Sequence, residues 1–465
     1  MTQTGGTANN GGSFAAGAAG GSASTGGAVA AGSGGAGGTG VSSGGTTATG
    51  GSTATGGNTA AGGTTNMGGA TATGGSMAVG GAGMGGGSGG GAGRSNGGTT
   101  SRGGMGGMSM AGDGAGGGTA GSPPNPSADC TPPATYTNLF VTVSGQTQAD
   151  SDTKVQAAWS QLFNPSGSNT VFYNGPGSDE SYVEDVANGD VRTEGMSYGM
   201  MIAVQLDHQT EFDRLWAFVK KHMQQSNGQF AWHTSTSGSA LASGSAPDGD
   251  EYFATALIFA AKRWGATSGK YDYAAEAQPV LDTIRKQEFN QTSKIVAFTP
   301  GSNFTDGSYV LPAFYQTWAC FDTANQDFWN GAVTAGRAFF QAAADSNGVI
   351  PDHSSFSGQA QGGAGSDALR CVANIMMDHN FFDADPWQTT YASKYGSYIK
   401  THSNNTTAML ACNGLLGFGL PSDTGKSFVD ALWSAKIPTG QYRYYDGTLY
   451  LLALLHVSGT FHLWY

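Results

Sequence analysis

Carboxylates and aromatic rings gather in five short segments of this sequence, and each segment precedes or opens a run of apolar residues at helical spacing. DVRTEGMSYGM contains Glu194 and Tyr198. APDGDEYF sets Asp248 and Asp250 on either side of a glycine, and DGSYVLPAFY supplies Tyr309 and Tyr315. GSDALR puts Asp367 and Arg370 one turn apart, and YRYYDG holds Tyr442, Tyr444, Tyr445 and Asp446. An acid in the first turn of a helix is most often a cap or a partner of the helix dipole, and each of these taken singly reads that way. Taken together they allow more. Two carboxyls, one kept protonated and one ionised, surrounded by rings, suit acid/base hydrolysis of a stacked sugar chain.

Those residues need elements to hold them. From residue 150 onward apolar side chains recur every three to four positions in twelve segments, near 152–163, 196–206, 211–223, 251–264, 273–287, 310–321, 327–343, 366–381, 387–400, 407–417, 427–435 and 446–458. No strand series competes with them. The second, fourth and twelfth segments are apolar nearly all round, so protein surrounds them. Inner and outer helices therefore alternate, as six hairpins closed into an (α/α)₆ barrel require. An all-α barrel is the expected fold, and short linkers rich in Gly, Asn, Asp and Pro fit the closure. An open solenoid would show a repeat of fixed length, and none is visible. In the closed form the starts of the inner helices share one mouth, and the five segments stand there.

The chain before this region is of another kind. Much of the glycine, 79 residues in all, lies before residue 122 among Ala, Ser and Thr, where the charged residues are Arg94, Arg102 and Asp113. Such a segment cannot bury enough surface to offset chain entropy, so residues 1–128 are expected to be a disordered tether and 131–465 the catalytic domain. About 120 such residues would reach roughly 60 Å. The N-terminus MTQTGGTANN has no basic or apolar leader, so an export signal is expected upstream of this sequence. An extracellular or surface-tethered location follows as the expectation, with a cytosolic low-complexity extension as the alternative. A net charge of −12 argues against nucleic acid as a partner, and no apolar run is long enough to span a bilayer. Cys320, Cys371 and Cys412 read as small buried hydrophobes, while Cys130 carries no reading. The histidines lack metal-ligand spacing. His456 and His462 read as core residues, and only His233, beside Trp232, lies near a candidate site.

TEGMSYGM and APDGDEYFATALIFAAKRW resemble the two diagnostic segments of glycoside hydrolase family 8. SYVLPAFYQTWA, SDALR and YRYYDGTLYLLALLHVSG resemble its xylan-cleaving branch, as does Pro247 where many members have Ser or Thr. The similarity covers about residues 150–460. It implies an (α/α)₆ barrel, an inverting mechanism, a polysaccharide or oligosaccharide substrate and no metal or organic cofactor. Position by position, Glu194 matches the general acid, Asp248 the aspartate that holds the sugar distorted, and Asp367 the general base, with Arg370 orienting it. Leu369 departs from the aromatic that usually stands there. Tyr309 matches the tyrosine that helps hold the attacking water, with Tyr315 as the alternative. Trp232, in QFAWHTS, reads as a stacking platform or a core residue, and Tyr198, Tyr442 and Tyr445 are further substrate-binding candidates. The expected activity is cleavage of β-1,4-xylosidic bonds by a monomer. Release of xylose from reducing ends is one alternative and β-glucanase action another. A non-catalytic glycan-binding barrel is a third, which the acid/base set speaks against.

Overall fold

The computed structural model describes residues 130–265 and 270–465. The expected tether, residues 1–128, lies outside them. Among the described residues no helix is long and apolar enough to cross a membrane.

After a short α1 (Leu139–Thr142) the helices alternate as the periodicity predicts. The outer series is α2 (Gln148–Leu162), α4 (Gln209–Phe218), α6 (Tyr273–Thr283), α8 (Gln326–Ala343), α10 (Trp387–His402) and α12 (Ser422–Ser434). The inner series is α3 (Thr193–Gln205), α5 (Pro247–Trp264), α7 (Pro312–Phe321), α9 (Leu369–Phe382), α11 (Thr407–Gly414) and α13 (Arg443–Val457). Each inner helix packs on the next, and α13 packs back on α3, so the ring closes. All twelve predicted helices are present. Several start earlier than the apolar pattern does, because their first turns carry polar residues. Pro247 and Pro312 open α5 and α7 at a position where a missing N–H costs nothing. Thr147 caps α2 by accepting from the Asp150 N–H, and Thr406 caps α11 in the same way through Met409.

The inner helices make the core. Nearly every residue of α3, α5 and α13 is buried, which is why their sequences lack a polar stripe. Two glycines let the inner ring draw tight. A side chain at Gly249 would stand 2.5 Å from Thr193 Cβ, and one at Gly195 would stand 2.3 Å from the Tyr444 ring.

Among the described residues, six short strands add what the periodicity did not predict. β1 (Phe172–Asn174), β2 (Ser181–Asp185), β3 (Asp190–Arg192) and β4 (His233–Ser235) form an antiparallel sheet in that order, and β5 (Phe304–Asp306) pairs with β6 (His353–Ser355). All lie in the connections that lead into inner helices. Strands of three to five residues are too short to print an alternating pattern. The cysteine reading is corrected in one respect. Cys320, at the end of α7, forms a disulfide with Cys130, while Cys371 and Cys412 are buried free thiols as expected. His456 stacks on Phe461 with ring centroids 4.0 Å apart, and His462 on Tyr136 at 4.1 Å. Burial pushes the His456 imidazole down to about 3, so it stays neutral in the core.

Candidate active site

Arg370, in the first turn of α9, organises the mouth of the barrel. Its Nη1 donates to Glu194 Oε2 at 3.1 Å, to Asp248 Oδ2 at 2.9 Å and to the Tyr198 hydroxyl at 2.8 Å, two protons shared among three acceptors. Its Nη2 lies 3.4 Å from Asp367 Oδ1. Glu194 and Tyr198 reach one guanidinium because residues four apart share a helix face. Asp367 meets it from the turn that leads into α9. Residues from two inner helices and one connection thus converge on a single α9 side chain that is almost wholly buried.

Glu194 has a second partner. The Tyr444 hydroxyl, from the first turn of α13, donates to Oε1 at 2.9 Å. Burial pushes the Glu194 carboxyl up to about 7, with the charges of Asp248 and Asp367 adding to it and Arg370 and Tyr444 working against it. Burial likewise raises Asp248, against the pull of Arg370. Asp248 also accepts the Gly249 N–H at 2.9 Å, but it lies inside the first turn of α5, whose N-cap position is Ala246, so it does not cap the helix. A carboxyl that keeps its proton near neutral pH, close to other carboxylates, is suited to protonate a leaving group.

Around this centre the rings divide. Tyr309 is buried, lies parallel to Phe298 with centroids 5.8 Å apart, and has the Arg370 guanidinium 5.9 Å from its ring centre. Tyr445 donates to the Ser366 carbonyl at 3.0 Å and so touches the turn that bears Asp367. Tyr442 stands 40% exposed at the start of α13. Trp232 is only 9% exposed, with His233 stacked on it at 4.5 Å and the Arg192 guanidinium 5.7 Å from its ring. Its carbonyl accepts the Thr193 N–H at 3.0 Å, which fixes the start of α3.

The sheet braces that start. Arg192 pairs with Asp185 at 3.2 Å and Asp190 at 3.1 Å, and His233 lies 2.9 Å from the other Asp190 oxygen.

Tyr315 is a correction. It is fully buried, and its hydroxyl donates to Glu251 Oε1 at 2.9 Å, so it packs α7 on α5 and does not reach the mouth. Asp250 also turns away. The Ser245 hydroxyl lies 2.9 Å from its Oδ2 and 2.8 Å from Glu288 Oε1, in a buried acidic pocket behind the site. The sequence reading placed Tyr444 at the mouth but gave it no role. Its signal was Gly195, since only a residue without a side chain beside Glu194 leaves room for that ring. Asp306, buried beside the site at the end of β5, gave no signal of its own. Burial first, then the Asp367 charge, hold its carboxyl well above the usual range.

The chain is 33% identical over 370 residues to a reducing-end xylose-releasing exo-oligoxylanase of Paenibacillus barcinonensis, covering 71% of this chain and 97% of that one. It is 33% identical to the corresponding enzyme of Halalkalibacterium halodurans, covering 71% and 95%. A crystal structure of a reducing-end xylose-releasing exo-oligoxylanase superposes with a TM-score of 0.67 at 33% identity, covering 71% and 97%. The sequence profile of the glycosyl hydrolases family 8 matches residues 149–459, and the chain belongs to that family.

Proposed function

We propose that the protein hydrolyses β-1,4-xylosidic bonds in xylan or xylo-oligosaccharides with inversion at the anomeric carbon. The observation that carries this reading is the Arg370 guanidinium bound to Glu194 and Asp248 through one nitrogen and set against Asp367 through the other. Glu194, protonated, gives its proton to the glycosidic oxygen as the bond from C1 to that oxygen breaks. Asp367 takes a proton from water as the water oxygen bonds to C1 from the opposite face. Asp248 holds the sugar at the cleavage position, and Tyr309 flanks the water. One water must fit between the two carboxyls, which in inverting enzymes stand about 6.5–9.5 Å apart. Attack opposite a β leaving group yields the α anomer.

A second reading, release of xylose from reducing ends, is favoured by the names of the relatives at 33% identity that match over nearly their whole length. Xylohexaose separates the two. Early xylose with xylopentaose indicates exo action, and early di-, tri- and tetrasaccharides indicate endo action. Proton NMR of the same fresh digest should show the α anomer first. Initial β product would mean retention and would remove Asp367 as base, and equal or faster turnover of mixed-linkage glucan would move the assignment to a glucanase.

The proposed location is outside the cytoplasm. The Cys130–Cys320 disulfide supports it, because such bonds persist in oxidising compartments.

A further inference from the structure

Asp367 stands in the turn Ser366–Ala368, ahead of α9, at the end of a long connection from β6. A base must hold its geometry closely, and a turn does not do so unaided. Two groups hold this one. Asp352, just before β6, accepts with a single oxygen, Oδ1, from the Gly365 N–H at 3.0 Å and the Ala368 N–H at 2.8 Å. These bonds fall on both sides of Asp367. The Tyr445 hydroxyl donates to the Ser366 carbonyl between them. Asp352 is in turn fixed by its backbone, which donates to the Gly363 carbonyl at 3.1 Å and accepts from the Gly307 N–H at 3.2 Å. Gly307 opens the single 3₁₀ turn that ends in Tyr309. A side chain at position 365 would stand 2.2 Å from Asp352 Oδ2, so a glycine there is what lets the turn close on the carboxylate.

We propose that Asp352 is a positioning residue for the reaction: it clamps the turn that aims Asp367 at the attacking water and ties that turn to the backbone leading to Tyr309. The inference rests on the reading of Asp367 as the base. Asp352 makes no contact with substrate in this role and acts through the turn alone. What the turn needs is one acceptor oxygen at the position of Oδ1, and an amide oxygen supplies that as well as a carboxylate does.

The test is steady-state kinetics on xylohexaose with the full chain. Asp352→Ala should lower kcat about 10²-fold, the scale of an ångström misplacement of a reacting group, with KM changed by no more than about twofold. Asp352→Asn, which keeps the acceptor, should restore most of the lost kcat. In an Asp367→Asn background, Asp352→Ala should cost nothing further, since its only route to the chemistry is already gone. Additive losses, or an Asn variant as slow as the Ala variant, would overturn the proposal. If Asp352→Ala does not fold, Asp352→Ser, too short to reach both N–H groups, carries the same expectation. An Asp367→Asn enzyme with the wild-type rate would remove the base reading and this inference with it. A dead Asp367→Asn enzyme beside a wild-type Asp352→Ala enzyme would remove the positioning role alone.

Discussion

Arg370 brings one positive charge to three carboxyls, and that imbalance decides which of them keeps a proton. Glu194 does, because burial and the two neighbouring aspartates outweigh its bonds from Arg370 and Tyr444. As a general acid it is active while protonated, so turnover should fall as pH rises through about 7. Tyr444→Phe removes a bond to the ionised form and should move that alkaline limb up. Asp248→Asn removes a repelling charge and should move it down. Glu194→Gln should cost about 10²–10⁴-fold in kcat. pH–rate profiles of the three variants check this, and a limb that ignores both Tyr444 and Asp248 would mean that another group titrates. The same shift bears on stability. A carboxyl with a folded pKa above its ordinary value of 4.5 contributes stability that is present below 4.5 and lost as pH rises through about 7. At this scale the sequence was legible where side-chain type and helical spacing sufficed, as for Glu194 with Tyr198 and Asp367 with Arg370. It was not legible where the direction of a ring decides. Tyr309 and Tyr315 stand in one short segment, yet one faces Arg370 and the other faces Glu251 in the core.

The inner helices α3, α5 and α9 place charged residues of their first turns at the mouth, and the outer layer must hold those helices in register. One buried cluster does so for α9. Arg337 on α8 reaches Asp378 on α9 through Nε at 2.8 Å and Nη2 at 2.7 Å, and Nη2 also donates to Gln316 on α7 at 3.0 Å. Gln388 on α10 donates to Asp378 at 2.6 Å, so four helices meet at one ion pair. Asp378 lies two turns along α9 from Arg370. Arg337→Met would leave that carboxylate buried without its cation, which typically costs about 3–5 kcal/mol. Urea unfolding should show the loss, and replacing Asp378 by Leu in the same chain should recover much of it. A single variant within about 1 kcal/mol of wild type would show that water replaces the cation there. Helices were readable because a dozen residues repeat one period. The strands were not, since three to five residues are too few to print an alternation, and β3–β4 and β5–β6 pair with partners remote in the chain. Those strands nonetheless set the first turn of α3 through Arg192 and the turn of Asp367 through Asp352.

At the scale of the whole molecule, the closed ring and the disulfide divide the chain at a definite point. The ring closes through α13 on α3, and residues ahead of α1 join it through Cys130, bonded to Cys320 at the end of α7, and through Tyr136, whose hydroxyl accepts the Leu463 N–H at 3.0 Å. Composition had marked a boundary near residue 128 from the loss of glycine and the gain of aromatics, but pairing between cysteines 190 residues apart leaves no trace in spacing. Two truncations read the boundary. Removing residues 1–125 takes away a segment with few apolar side chains to dock and leaves the disulfide intact. Melting temperature and turnover on soluble xylo-oligosaccharide should then match the full chain. Removing residues 1–134 also removes Cys130 and releases a very long closed loop, which should cost about 2–5 kcal/mol of stability while kcat of the folded enzyme stays the same. The Cys130→Ser, Cys320→Ser variant of the full chain should lose as much as the longer truncation. A fall of more than a few degrees on the shorter truncation, roughly 1 kcal/mol or more in a domain this size, would show instead that the glycine-rich segment packs on the barrel.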